Sequence, residues 1–144
     1  MIVMGSDHGA YELKGVLKAY LESQGKEVND LGVYDATSVD YPDIAEKVCN
    51  EVKTGKYEFG ILLCGTGIGI SIAANKIDGI RCALVLNEYS AAKAKQHNNA
   101  NVIAMGGRVL GPDLAKSILD AFMNAEFEGG RHQNRIDKIH ALEK

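Results

Sequence analysis

The sequence predicts an α/β domain: a five-stranded parallel sheet covered by helices on both faces, a three-layer α/β/α sandwich. Three observations predict it. Short apolar runs alternate five times with segments of helical periodicity. The chain of 144 residues has the length of one domain with one core, over 1–144. Right-handed crossovers leave few ways to order such strands, and 2-1-3-4-5, with the first and third strands as neighbours, is the expected one.

The elements follow in order. "MIVMGS" (1–6) reads as a buried strand ending in a turn. Leu13, Val16, Leu17, Tyr20 and Leu21 then recur at helical spacing, and Gly25 stops that helix. "KEVNDLG" is a shorter, more polar strand suited to a sheet edge. Residues 32–41 form a loop, and Pro42 opens a helix whose inner face is Ala45, Val48, Cys49 and Val52. "EFGILLC" (58–64) is apolar enough to be central, and "GIGISIAANK" continues it as turn and helix. "IRCALVL" (80–86) is the fourth strand, 88–97 a helix of small residues, and "NVIAMGG" (101–107) the fifth strand. Gly111-Pro112 opens a helix with Leu114, Ala115, Ile118, Leu119 and Phe122 inward. "EGGR" (128–131) breaks it, and 131–143 form a last helix.

Composition narrows the function classes. The formal net charge is -3, so no basic field for nucleic acid is present. No apolar segment approaches the roughly 20 residues of a membrane helix. The N-terminus lacks the basic and apolar regions of a signal peptide. Three widely spaced cysteines make neither a disulfide framework nor a zinc motif, which suits reduced thiols in a cytoplasm. No metal or cofactor is expected.

In an open parallel sheet, ligands bind beyond the C-terminal strand ends, where the strand order reverses. Here that crevice falls between "SDHG" (6–9) and "CGTG" (64–67). Gly65, Gly67 and Gly69 bring main-chain amides to the start of a helix, a setting for an anion. A tight turn with close helix packing explains the same glycines. The dinucleotide fingerprint fails, because its third glycine would fall at Ile70. Cys64 ends the strand before this loop. A strand-end cysteine is commonly a small buried hydrophobe, but a helix N-terminus stabilises a thiolate, which makes a nucleophile or a general base. Cys49 and Cys82 lack that setting and read as structural. Asp7 and His8 share the crevice, against the plainer reading of helix cap and packing residue. His97 and Asn98 close the helix after the fourth strand, as a C-terminal cap or an acid/base group. Arg131 and Arg135 share a helix face, either solvated or set to grip phosphate, with Arg108 a further cation. Together these parts fit proton abstraction from a small phosphorylated molecule.

The sequence also resembles the type B ribose-5-phosphate isomerase family, which includes the galactose-6-phosphate isomerase subunits. The segments that carry the resemblance are "GSDHGAYELK" (5–14), "VDYPD" (39–43), "CGTGIGISIAANK" (64–76), "GIR" (79–81), "QHNNANV" (96–102), "GGRV" (106–109) and "EGGRHQNRI" (128–136). Gly129 and Gly130 give the last helix, 131–143, the freedom to pack on a partner subunit. The resemblance implies a Rossmann-like sandwich, a homodimer or dimer of dimers, and metal-free interconversion of ribose 5-phosphate and ribulose 5-phosphate. It implies Cys64 as the base in an enediolate mechanism, with Thr66 and the amides of Gly65, Gly67, Ile68 and Gly69 on the substrate and its oxyanion. Ser71 supports the loop, His97 assists ring opening, Asp7 and Asn98 contact the sugar, and Tyr41 lines the pocket. His8, Arg108, Arg131 and Arg135 receive the phosphate. One family branch uses a glutamate where this chain has Ile70, so the thiol branch is the one resembled. Gly9-Ala10 and Asn99 depart from the common pattern without removing a catalytic group. A six-carbon sugar phosphate, such as allose or galactose 6-phosphate, is the alternative substrate. A non-catalytic nucleotide-binding module of flavodoxin type is the alternative class.

Overall fold

The apolar runs supply the strands and the periodic segments the helices in a computed structural model that describes residues 1–143. Lys144, the last residue of the expected 1–144 domain, lies outside the described residues. The strands are β1 (Ile2–Ser6), β2 (Val28–Asp30), β3 (Phe59–Cys64), β4 (Cys82–Leu84) and β5 (Val102–Gly106). The helices are α1 (Tyr11–Ser23), α2 (Tyr41–Val52), α3 (Ile68–Asn75), α4 (Glu88–Gln96), α5 (Pro112–Asn124) and α6 (Arg131–His140).

All pairings are parallel, and the class is the one expected. The order is β2-β1-β3-β5-β4, so the expected 2-1-3-4-5 is corrected at its last two positions. Burial gives the reason. Every residue of β5 is buried, whereas the three of β4 are only partly covered. A strand wholly removed from water sits best between two neighbours, and a short half-covered one at an edge. β2, also short and half-covered, takes the other edge as expected. The strand read over 80–86 shrinks to three paired residues.

The alternation of side chains along each strand divides the core into two layers. Ile2, Met4, Ile61, Leu63, Ile103 and Met105 meet α1, α4 and α5 on one face. Val3, Leu62, Cys64, Val102 and Ala104 meet α2 and α3 on the other. Leu114, expected to face inward, is 37% exposed, while Ala115, Ile118, Leu119 and Phe122 are buried as expected. Cys49 and Cys82 both belong to the second layer. Burial pushes the Cys49 thiol up to about 12 and raises that of Cys82 as well, which suits their structural reading.

One buried ion pair joins α1 to the sheet edge. Lys14 Nζ lies 2.5 and 2.6 Å from the two carboxylate oxygens of Asp30, with side chains only 3% and 9% exposed. Asp30 Oδ1 also accepts the Gly32 N–H at 2.9 Å, so the pair fixes the start of the loop leading to α2.

Because crossover helices run back against the strands, a helix that follows a strand ends at the sheet's N-terminal edge. This elementary consequence decides where each candidate residue falls.

Candidate active site

The crevice forms where β1 and β3 diverge. β1 delivers Asp7 and His8, β3 delivers Cys64, and β5 delivers Gly107 and Arg108, all at C-terminal strand ends. Asp7 Oδ1 accepts the Gly9 N–H at 2.9 Å, turning the chain sharply into α1. His8 Nδ1 accepts the Val39 N–H at 3.3 Å. This contact orients the ring and leaves Nε2 without a partner among the described residues. A cavity of about 530 Å³ opens here between Asp7, His8, Ser38, Val39, Asp40 and Tyr41.

The glycine loop approaches its neighbours closely. A side chain at Gly106 would strike the Thr66 main chain at 2.6 Å, and one at Gly107 would strike Ala10. At Gly69 the space is filled by the Tyr41 ring, whose hydroxyl lies 2.7 Å from the position a Cβ would take. Arg108 lies across Gly65, its Nη1 3.1 Å from the corresponding point there. The bare loop thus admits an aromatic wall and a guanidinium beside the same main-chain amides.

Cys64 is buried, and its Sγ accepts the Gly67 N–H at 3.1 Å. Gly67 is the residue before α3 and has φ +81, a conformation that glycine adopts without penalty. Sulfur therefore faces the first turn of a helix whose free N–H groups carry partial positive charge. Thr66 Oγ1 accepts the Ile68 N–H at 3.1 Å, and Ser71 Oγ donates to the Ile68 carbonyl at 2.7 Å, which ties down both sides of the loop. Ile70 is fully buried in the second core layer, and as an isoleucine it offers no carboxylate to the loop.

The second group of candidates lies elsewhere in the same chain. His97 caps the C-terminal end of α4, and Asn98 follows it, at the N-terminal edge of the sheet. Glu128 N–H donates to the Gln96 carbonyl at 2.9 Å, and this brings α6 to the same edge with Arg131 and Arg135 exposed on it. One chain therefore unites Asp7, His8, Tyr41, Cys64, Gly65, Thr66, Gly67, Ile68, Gly69, Ser71 and Arg108. His97, Asn98, Arg131 and Arg135 stand at the opposite edge.

The sequence reading missed two companions of His97. The ring of His132 stacks on it at 4.2 Å, and Glu128 Oε1 lies 3.7 Å from His97 Nε2 and 3.4 Å from His132 Nε2. Burial above all, then the charges of His97 and Arg131, hold His132 below the ordinary histidine range, with Glu128 opposing. Their signal was present, since both residues stand inside "EGGRHQNRI".

Fold and crevice define an α/β protein that places a thiol and main-chain donors at the reversal of strand order, as an enzyme acting on a small anionic molecule would. Residues 2–139 match the family model described as Ribose/Galactose Isomerase, and the chain belongs to that family. It is 48% identical over 143 residues to ribose-5-phosphate isomerase B of Escherichia coli, covering 99% of this chain and 96% of that one. It is also 48% identical, over 96% of this chain and 91% of the other, to D-erythrulose-4-phosphate isomerase of Pectobacterium atrosepticum. Among solved structures, ribose-5-phosphate isomerase B from Mycoplasma genitalium with bound ribulose 5-phosphate superposes with a TM-score of 0.93. It shares 44% sequence identity, and the match covers 99% of this chain and 95% of that one. No helix among the described residues is long and apolar enough to cross a membrane.

Proposed function

We propose that this chain interconverts ribose 5-phosphate and ribulose 5-phosphate, with Cys64 as the general base. The observation that carries the reading is the Cys64 sulfur, held 3.1 Å from the Gly67 amide against the glycine loop of a Ribose/Galactose Isomerase family member. The bound ketose in the Mycoplasma genitalium relative supports the pentose assignment.

The chemistry follows in two stages. Ribose 5-phosphate is a closed furanose. His97 takes the proton of the C1 hydroxyl, the C1–O4 bond breaks, and His97 returns that proton to O4 as the aldehyde forms. Cys64 thiolate then removes the proton on C2, and its electron pair forms the C1–C2 double bond while O1 becomes an oxyanion. The amides of Gly65, Gly67, Ile68 and Gly69 and the Thr66 hydroxyl stabilise that charge. Transfer of the proton from O2 to O1 and return of the Cys64 proton to C1 give the 2-ketone. Positive main-chain potential favours thiolate and enediolate alike, so one turn serves both. Asp7 and Asn98 contact sugar hydroxyls, Tyr41 closes the pocket and Ser71 stiffens the loop. His8, Arg108, Arg131 and Arg135 receive the phosphate through charge-assisted bonds.

The separation of these residues between two edges supports a homodimer, in which a second copy brings its α4–α6 edge to the Cys64 crevice. α6 then lies against the partner. A dimer of dimers satisfies the same requirement. The 48% identity to a tetrulose-phosphate isomerase favours a second reading, a four-carbon substrate. The six-carbon sugar phosphates are further candidates.

The test assays the purified chain with ribose 5-phosphate, erythrose 4-phosphate and allose 6-phosphate, alongside Cys64→Ala. Ribose 5-phosphate is expected to turn over fastest. Cys64→Ala is expected to lower kcat by about 10²–10⁴-fold, the usual worth of a general base, with KM nearly unchanged. Near-normal turnover in that variant would remove Cys64 from the base role. Faster turnover of another sugar would reassign the substrate.

A further inference from the structure

Resting on the reading of His97 as the ring-opening group, we propose that Arg81 is its positioning residue, holding the His97–Asn98 turn in place. Arg81 immediately precedes β4 and is itself well anchored. Its main-chain N–H donates to Asn101 Oδ1 at 2.8 Å, and Asn101 Nδ2 donates to the Gly79 carbonyl at 2.9 Å. The guanidinium is thus carried by the sheet edge rather than by a free loop.

From there it reaches the end of α4. Arg81 Nε donates to the carbonyls of Asn98 at 3.1 Å and Asn99 at 3.2 Å, and Nη2 donates to Asn99 at 2.7 Å. Carbonyls beyond a helix C-terminus lack helical partners and carry partial negative charge. Asn99 has φ +43, the one described non-glycine residue with positive φ. That left-handed turn reverses the chain just after His97 and Asn98, and the Arg81 bonds secure it. The fourth contact is with α6. Arg81 Nη1 lies 2.9 Å from His140 Nε2. A guanidinium only donates, so this nitrogen accepts. The other ring nitrogen then donates to Glu143 Oε1 at 2.8 Å, which also accepts the Gly79 N–H at 2.9 Å. One planar fork therefore ties the His97 turn and the C-terminal end of α6 to the same strand entrance. A lysine offers one point charge and cannot reproduce it.

Ring opening separates this role from general stability. In ribulose 5-phosphate O5 is esterified, so its C2 ketone has no hydroxyl with which to close a five-membered ring. Exchange of its C1 proton in D₂O, followed by proton NMR, reports the Cys64 half-reaction without ring chemistry. Conversion of ribose 5-phosphate requires both. The structure predicts that Arg81→Met lowers ribose 5-phosphate turnover by about 10²-fold, as an ångström of misplacement does, while C1 exchange at saturating ribulose 5-phosphate, where weaker binding through Asn98 and the α6 arginines drops out, falls by less than about 3-fold. Arg81→Lys gives the same selective loss in weaker form, and decides alone where Arg81→Met does not fold. Equal loss of both rates, or unchanged ribose 5-phosphate turnover, overturns the proposal. His97→Gln is the control. If it produces the selective loss and the Arg81 variants do not, the Arg81 role alone falls. If it leaves ribose 5-phosphate turnover intact, the ring-opening reading falls and the proposal with it.

Discussion

Replacing Gly67 with alanine tests the geometry of the sulfur site at a single atom. Gly67 has φ +81, and a left-handed backbone costs an L-residue about 1–2 kcal/mol. The added Cβ would also lie 2.8 Å from the Met105 carbonyl carbon, 3.1 Å from the Gly106 nitrogen and 2.7 Å from Leu84 Cδ1. Leu84 can rotate away. Met105 and Gly106 are main chain of a fully buried strand and cannot, so overpacking adds about 1–3 kcal/mol. The sum is about 2–5 kcal/mol. Gly79 is the matched control, since its φ is +85 and a Cβ there meets nothing within 4 Å. Gly79→Ala is expected to show the backbone cost alone. The loop relieves the clash by lifting away from β5, which draws the Gly67 N–H off the Cys64 sulfur. Loss of one such donor typically costs about 2.7–4 kcal/mol of barrier, or roughly 10²–10³ in kcat. Urea unfolding gives the two stabilities, and kcat at saturating ribose 5-phosphate gives the activities. Equal destabilisation of the two variants, or full turnover in Gly67→Ala, would refute the reasoning.

Two further predictions concern stability. Lys14→Met leaves the Asp30 carboxylate buried without its partner and is expected to cost about 3–5 kcal/mol, read from the urea midpoint. Adding Asp30→Asn, which removes the stranded charge and can still accept the Gly32 N–H, recovers part of that loss, and a single-variant cost under about 1 kcal/mol would contradict the account. His132 has its folded pKa depressed, so the unfolded chain takes up a proton that the folded chain resists. The stability this gives is present above the unfolded value, about 6.5, and is lost as the pH falls through it toward the folded value. His132→Gln is expected to flatten the acid-side decline of the urea midpoint, and an unaltered slope would count against it.

Much of the site is legible in the chain because its parts are local. Cys64, the glycines and the helix that follows are contiguous, so strand, turn and helix signals coincide with the chemistry. Asp7 and His8 follow another apolar run in the same way. The Arg81 clamp and the His97–His132 stack were not legible, since each joins residues from different crossovers. Leu114 was misplaced because an apolar residue in the first turn of a helix satisfies the periodicity without reaching the sheet.

The amino-acid order alone determined the number and kind of elements, the glycine turn after the thiol, and the family to which the chain belongs. These follow from near-neighbour patterns, whose physics is periodicity, turn conformation and side-chain chemistry. The tertiary structure decided that β5 rather than β4 lies beside β3, and that His97 and the α6 arginines stand across the sheet from Cys64. "IRCALVL" and "NVIAMGG" look similarly apolar as strings, and only the water each excludes once folded assigns the central place to one of them. The separation of His97 and the α6 arginines from Cys64 has the same origin, because a crossover helix returns the chain to the opposite edge of the sheet.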